Sequence, residues 1–203
     1  KLNSSPVRIN KTKKNGFFTT LRIGLKSSGD LKSPDYFLTN SGYNEKSGSF
    51  SIGNKSLNRI WRLGYSIFRK ELGILKASHV GNPGDVFRAL DSDVPTIINP
   101  YSRKISHPRQ LTTHNKVFGN YNLYFKNLSK IKCNYVDQKN RREEFDFRLG
   151  LSDEIPSIDI TLQTHDLNID YESNKSGSLS WKTGLKVTFQ DNYSNPETGV
   201  KRL

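Results

Sequence analysis

The chain of 203 residues has a single cysteine, Cys133, and no methionine. One thiol excludes an internal disulfide. A small side chain on a strand accounts for it better than a reactive thiol does. No run of about 18 apolar residues occurs, so a transmembrane helix is excluded. No signal peptide is recognisable. The chain opens on Lys1, which points to a fragment or processed product, so the missing export signal carries no information about compartment. Acidic residues are scarce, 19 against 32 Lys and Arg, giving a net charge of +13 and a pI near 9.8. Hydrophobic residues are also few, at 33%, and the mean hydropathy of -0.70 is poor for filling a soluble interior. No nucleophile–base arrangement and no phosphate loop appear, so enzyme activity is not expected.

Aromatic residues are well supplied, with eleven Phe, nine Tyr and two Trp. Few apolar but many aromatic residues suit a membrane barrel, which is polar inside and apolar outside. The positive charge calls for an anionic partner: nucleic acid, a lipopolysaccharide-rich surface, or an anionic solute in a lumen. Nucleic-acid binders concentrate their cations in a patch or stripe. Here the cations are spread along the chain, apart from Lys11, Lys13 and Lys14 and the Arg141–Arg142 pair, so nucleic acid is not the expected partner.

Alternation of period two, the mark of a strand with one apolar face, recurs along the chain. It is cleanest over Leu179–Gln190, where Leu179, Trp181, Thr183, Leu185, Val187 and Phe189 share one parity. Similar patterns run from Phe17 to Lys26, Trp61 to Phe68, and Lys116 to Lys126, and another begins at Ile131. With a strand around Val7–Ile9 they predict about eight strands. Between Ile158 and Tyr171 the apolar parity slips, which predicts a β-bulge near His165. Short polar turns are expected near residues 11–15, 54–58, 126–130 and 173–178. Longer connections are expected over 27–47, 70–108 and 149–157, and in a tail from Asp191. Within the longest, Asn82–Leu90 reads as a short capped helix. Strict alternation of short and long connections is the asymmetry of outer-membrane barrels.

Several strings then become familiar together. Ser33–Gly42 (SPDYFLTNSG), Glu71–Asn82 (ELGILKASHVGN), Pro108–Gln110 with His114, and Asp137–Asp146 (DQKNRREEFD) occur in order. Ile155–Pro156, Phe189–Tyr193 and Thr198–Val200 follow them. In this collinear order the chain resembles TonB-dependent receptors of Bacteroidetes-type bacteria. The resemblance implies an all-β fold: an antiparallel transmembrane β-barrel segment, with residues 1–203 supplying part of a barrel of about 22 strands. It also implies a location in the outer membrane among lipid and lipopolysaccharide. In the complete receptor it implies a plug domain, TonB as the energy-coupling partner, and uptake of a scarce solute such as a siderophore, haem or cobalamin. The plug and the TonB box have no counterpart in these residues. Two other readings compete: a stand-alone eight-stranded outer-membrane barrel with a structural or adhesive role, and a soluble basic β-protein that binds polyanions.

The best candidates for contact with an anionic or metal-chelate solute are the cations expected on the lumen side: Arg22, Lys26, Arg62, Lys116, Lys182 and Lys186. Plug residues would be their alternative partners. Arg88, Tyr101 and Arg103 in the long loop could meet an arriving ligand, as could His79. No two of His79, His107, His114 and His165 have the spacing of a zinc motif, so no metal or other cofactor is expected. Asp191–Asn195 lacks the glycine and terminal glutamate of a calcium loop. Arg141 to Glu144 is best explained as cross-strand ion pairing, with Arg141 and Glu143 on one face and Arg142 and Glu144 on the other.

Overall fold

In the computed structural model, residues 3–78, 83–146, 155–174 and 179–195 are described. The architecture is all-β. Eight long strands form one antiparallel sheet: β1 (Asn3–Thr12), β2 (Phe17–Ser28), β5 (Tyr43–Lys55), β6 (Arg59–Gly73), β7 (Arg109–Tyr124), β8 (Lys130–Phe145), β9 (Ile158–Glu172) and β10 (Lys182–Ser194). They lie in chain order, each paired with its neighbours. A two-stranded hairpin of β3 (Leu31–Lys32) and β4 (Phe37–Leu38) sits in the connection from β2 to β5. The sheet is not closed: β1 and β10 are its edges.

Because the sheet is a meander, successive connections fall at opposite ends. The connections over residues 13–16, 56–58, 125–129 and 173–181 share one end, and those over 29–42, 74–108 and 146–157 share the other. The expected alternation of short and long connections therefore holds. The turn between β1 and β2 uses Gly16 at φ +80°, which donates to the Lys13 carbonyl at 3.0 Å. A side chain there would be strained and would meet the Lys55 carbonyl. Within the longest connection, Pro83–Leu90 is helical, as the sequence predicts, although its Asn82 cap lies outside the described residues.

Register gathers most of the large apolar residues of the strands on one face. Val7 and Ile9 stand opposite Ile23 and Leu21, and Leu21 faces Phe50, which faces Tyr65. Leu63 and Tyr65 continue to Gly119 and Val117, and Gly119 to Tyr135. Tyr135 and Cys133 then meet Leu167 and Ile169, which meet Val187 and Leu185 on β10. This face is the exposed one: Leu63 is 55% and Val187 50% accessible, whereas Ser51 and Thr164 on the opposite face are 2% and 6% accessible. Among the described residues only Phe145 and Pro108 have buried aliphatic or aromatic side chains. The burial pattern is the reverse of a soluble protein's, in which apolar side chains fill the interior.

The apolar belt crosses the strands obliquely. Its upper margin, towards the long connections, lies at Leu25 on β2, and at Ile67, Val117, Tyr135 and Leu167 on β6 to β9. Leu167 is in register with Tyr135, Gly119, Leu63, Ile52 and Thr19. The margin has thus moved from Thr19 to Leu25, six residues or about 20 Å along a strand. Across those five strand spacings the sheet extends about 24 Å, so the belt departs by about 40° from the perpendicular to the strands, and the strands are tilted by about 40° from the belt's normal. On β10 the margin steps back up to Phe189, whose ring lies 6.2 Å from that of His165.

Two expectations are corrected. No bulge interrupts β9, since its pairing with β8 and β10 is continuous through His165. The parity slip arises because the belt ends at Leu167. Above it Asp159, Thr161, Gln163 and His165 keep the outer parity as polar residues, and Ile158, Ile160 and Leu162 lie on the other face. The second correction concerns the tail from Asp191. Residues up to Ser194 continue β10, with Tyr193 opposite Thr161 and Ser194 opposite Ile160. That strand also starts later than expected, at Lys182, and Leu179 makes only an isolated bridge.

Candidate functional site

The six cations expected on the polar side all share the face opposite the belt, because their parity is opposite to that of the apolar residues in the same strands. Their surroundings divide them. Lys26 is paired with Glu45 at 3.1 Å. Lys182 lies 3.9 Å from both Asp170 and Glu172, and Lys130 and Lys132 reach Glu172 at 2.5 and 2.6 Å. Lys186, two residues further along β10, faces Asn168 on β9.

Arg22, Arg62 and Lys116 differ from these. They line one cavity of about 380 Å³ on the polar face, with Ser49, Ser51 and Ser66. Phe118, an aromatic residue on the polar parity of β7, also lines it. The Arg62 guanidinium lies 5.2 Å from the ring centroid and the Lys116 ammonium 5.8 Å. Gly64 makes room for the ring, since a Cβ there would collide with it. Arg62 also donates from Nε and Nη2 to Ser51 Oγ, at 3.1 and 3.0 Å. Parity placed the cations on this face, but the sequence did not foretell Phe118 as their common platform. Its signal was a phenylalanine on the otherwise polar parity of its strand.

A second polar cluster organises the long connections, and sequence reasoning had assigned it no role. Asn40, at φ 64°, donates from Nδ2 to the carbonyls of Ile74, Ser106 and Pro108 at 2.8, 3.1 and 2.8 Å. Its Oδ1 accepts from the Ser106 amide at 2.8 Å. Asp30 accepts from the amides of Ser41 and Ser102, both at 3.1 Å, and Thr39 Oγ1 accepts from the Asn99 amide at 2.9 Å. Asp30, Thr39 and Asn40 are all buried. Asn40 falls in the SPDYFLTNSG string, so that string marked the knot although its role went unread.

The loop candidates are only partly brought together. Tyr101 packs on Phe37 with ring centroids 5.4 Å apart, and Arg103 Nε donates to Tyr101 Oη at 3.4 Å. Arg88 sits on the exposed helix, and His79 lies outside the described residues. His114 contacts Asn140 on the polar face at 3.2 Å. His165, on the outer parity, contacts Tyr135 Oη at 3.2 Å. His107 packs edge-on against Phe145. Among the described residues no group of three or more potential metal ligands forms.

The Arg141–Glu144 run splits by face as parity requires. Arg141 reaches across to Asp159 through two hydrogen bonds, at 2.8 and 2.7 Å, and also pairs with Glu143 at 3.1 Å. Arg142 pairs along its own strand with Glu144, so only the Arg141 pair is cross-strand in the expected sense.

No family model, no curated protein and no solved structure matches this chain.

Proposed function

We propose that the chain is a stretch of the wall of a TonB-dependent outer-membrane receptor, serving energy-coupled uptake of a scarce solute. The observation that carries this reading is the exposed apolar belt, continuous over eight strands and backed by a polar, more enclosed face. Large exposed apolar patches on a protein mark contact with a partner or a membrane. Lipid outside and water inside give each face its solvent.

Three further features support the reading. The tilt of the strands, about 40° from the belt's normal, agrees with that of outer-membrane barrel strands, about 35–45°. Aromatic residues gather at the belt's margin near the short turns, where Phe17, Asn54, Trp61 and Tyr121 form one register row and Trp181 packs on Tyr171. Aromatic girdles at the lipid–water interfaces are a barrel feature. The connections also sort by length between the two ends, with the longest carrying its own helix.

The open edges favour a larger barrel of about 22 strands over a stand-alone eight-stranded one, whose closure would need β1 to pair with β10. A soluble polyanion-binding protein would leave the belt in water. In the proposed receptor the plug would occupy the polar side and TonB would act through the plug. The knotted loops carrying Tyr101 and Arg103 would meet the solute first.

Single-cysteine labelling in a Cys133→Ser background tests the proposal. In isolated outer membranes, Lys186→Cys should react with a charged, water-soluble maleimide. Val187→Cys should react only with a lipid-soluble one. Equal aqueous reactivity at both positions, with the protein in the soluble fraction, would refute the membrane reading.

A further inference from the structure

We infer that Arg22, Arg62 and Lys116 form a binding site for a small tetrahedral oxyanion, a phosphate or phosphate monoester dianion, on the polar face. The inference takes its polar face from the structure, and it names the solute chemistry that the proposed lumen would hold at this point. Three cations and three serine hydroxyls line one cavity, and no carboxylate lines it. Among the described residues none of the three cations forms an ion pair, although the same face pairs Lys26, Lys130 and Lys132 closely.

Two of the three are also held against each other's charge. Arg62 and Lys116 approach the same Phe118 ring, so the aromatic quadrupole favours their positions while leaving their net charge uncompensated. Arg22, Ser49, Ser66 and Lys116 occupy one register row across four strands. A row of cation, hydroxyl, hydroxyl and cation presents donors from both sides to a ligand rich in acceptors. Arg62 uses Nε and Nη2 on Ser51, and its planar guanidinium has further N–H donors. Charge-assisted hydrogen bonds of this kind are about twice as strong as neutral ones. The cavity, at about 380 Å³, leaves room for an organic group beyond the phosphate.

The whole chain, reconstituted in phosphatidylcholine vesicles, would be titrated with inorganic phosphate and with acetate, followed by calorimetry. Saturable phosphate binding, tighter than that of acetate, is expected. R62Q and K116Q should each weaken it roughly tenfold or more, the scale of one charged hydrogen bond. K116R should retain most of the affinity, and K182Q, beside Asp170 and Glu172, should change it less than twofold. As a second readout, phosphate should slow modification of Ser66→Cys by a charged thiol reagent in a Cys133→Ser background.

No saturable phosphate binding, or an equal loss in K182Q and K116Q, would overturn the site. Acetate binding as tightly as phosphate would overturn its preference for a tetrahedral dianion. The maleimide experiment reports on the two faces without phosphate. Failure there with phosphate binding intact removes the membrane reading and keeps the site, and the opposite result removes the site alone.

Discussion

The sheet and the knot of long connections at one of its ends are held by different means. In the sheet, each strand is fixed by continuous pairing with its neighbours, and almost no side chain is buried: apolar residues face outwards across all eight strands. In the knot, a few buried polar side chains, Asp30, Thr39 and Asn40, tie backbone groups from segments sixty or more residues apart. A regular pattern therefore specifies the sheet redundantly, and single residues specify the knot. Damage to the two regions should differ accordingly.

The largest effect should come from charging the belt. Leu63 is well exposed, and on a water-facing surface its replacement by arginine would change stability by no more than about 0.5 kcal/mol. In a bilayer, Leu63→Arg should cost about 2–4 kcal/mol near the midplane. Asn120→Asp, opposite Arg62 on the other face of the neighbouring strand, should be close to neutral there. Urea unfolding of the protein in vesicles distinguishes the two. Equal tolerance of both substitutions would mean that the belt does not face lipid.

That contrast between sheet and knot also explains what was legible in the sequence. Alternation of period two located seven of the eight long strands, because one residue in two is constrained by its solvent. The exception was β5, whose outer parity reads Lys46, Gly48, Phe50, Ile52 and Asn54. With only two large apolar residues it looks like the end of a loop, and it is recruited by pairing on both sides. The slip in β9 was visible but misassigned, since a belt that ends partway along a strand and a bulge produce the same local pattern. Separating them requires the height of the belt on neighbouring strands, which is knowledge of register. At the candidate site, parity put Arg22, Arg62 and Lys116 on a common face but gave no distance between them. The Asn40 contacts were illegible because a loop hydrogen bond leaves no periodicity.

The next effect in size tests the knot. Asn40→Ala removes three donations to carbonyls and one acceptance from the Ser106 amide. It also places alanine at φ 64°, a conformation that asparagine tolerates better. Unsatisfied buried groups cost about 1–3 kcal/mol. Proteolysis within residues 91–105 and hydrogen exchange at the Ser106 amide should both accelerate at least tenfold, while strand amides stay protected. Strand amides exchanging as fast as the loop would show that the two regions are one cooperative unit. Gly16→Ala, at the short-turn end, should cost at least about 1–2 kcal/mol, from its left-handed backbone and from the clash of the new Cβ with the Lys55 carbonyl. It should lower the urea midpoint without increasing loop proteolysis.

The smallest effects compare two arginines adjacent in sequence. Arg141 makes a bidentate contact with Asp159, whose side chain is only 8% exposed. Arg142 pairs with Glu144 on the other face, and its own side chain is 55% exposed. Exposed ion pairs contribute about 0–1 kcal/mol, so Arg142→Ala should fall within about 0.5 kcal/mol of the parent in urea unfolding. Arg141 is itself nearly half exposed, which limits the gain from its own pairing. Removing it still leaves a poorly hydrated carboxylate without its cation, so Arg141→Ala should cost about 1 kcal/mol. Asp159→Asn, which removes that carboxylate's charge, should make the loss of Arg141 less damaging in the double variant. If the two losses simply add, the carboxylate is solvated after all, and the polar rim above the belt is as wet as the open end of a pore.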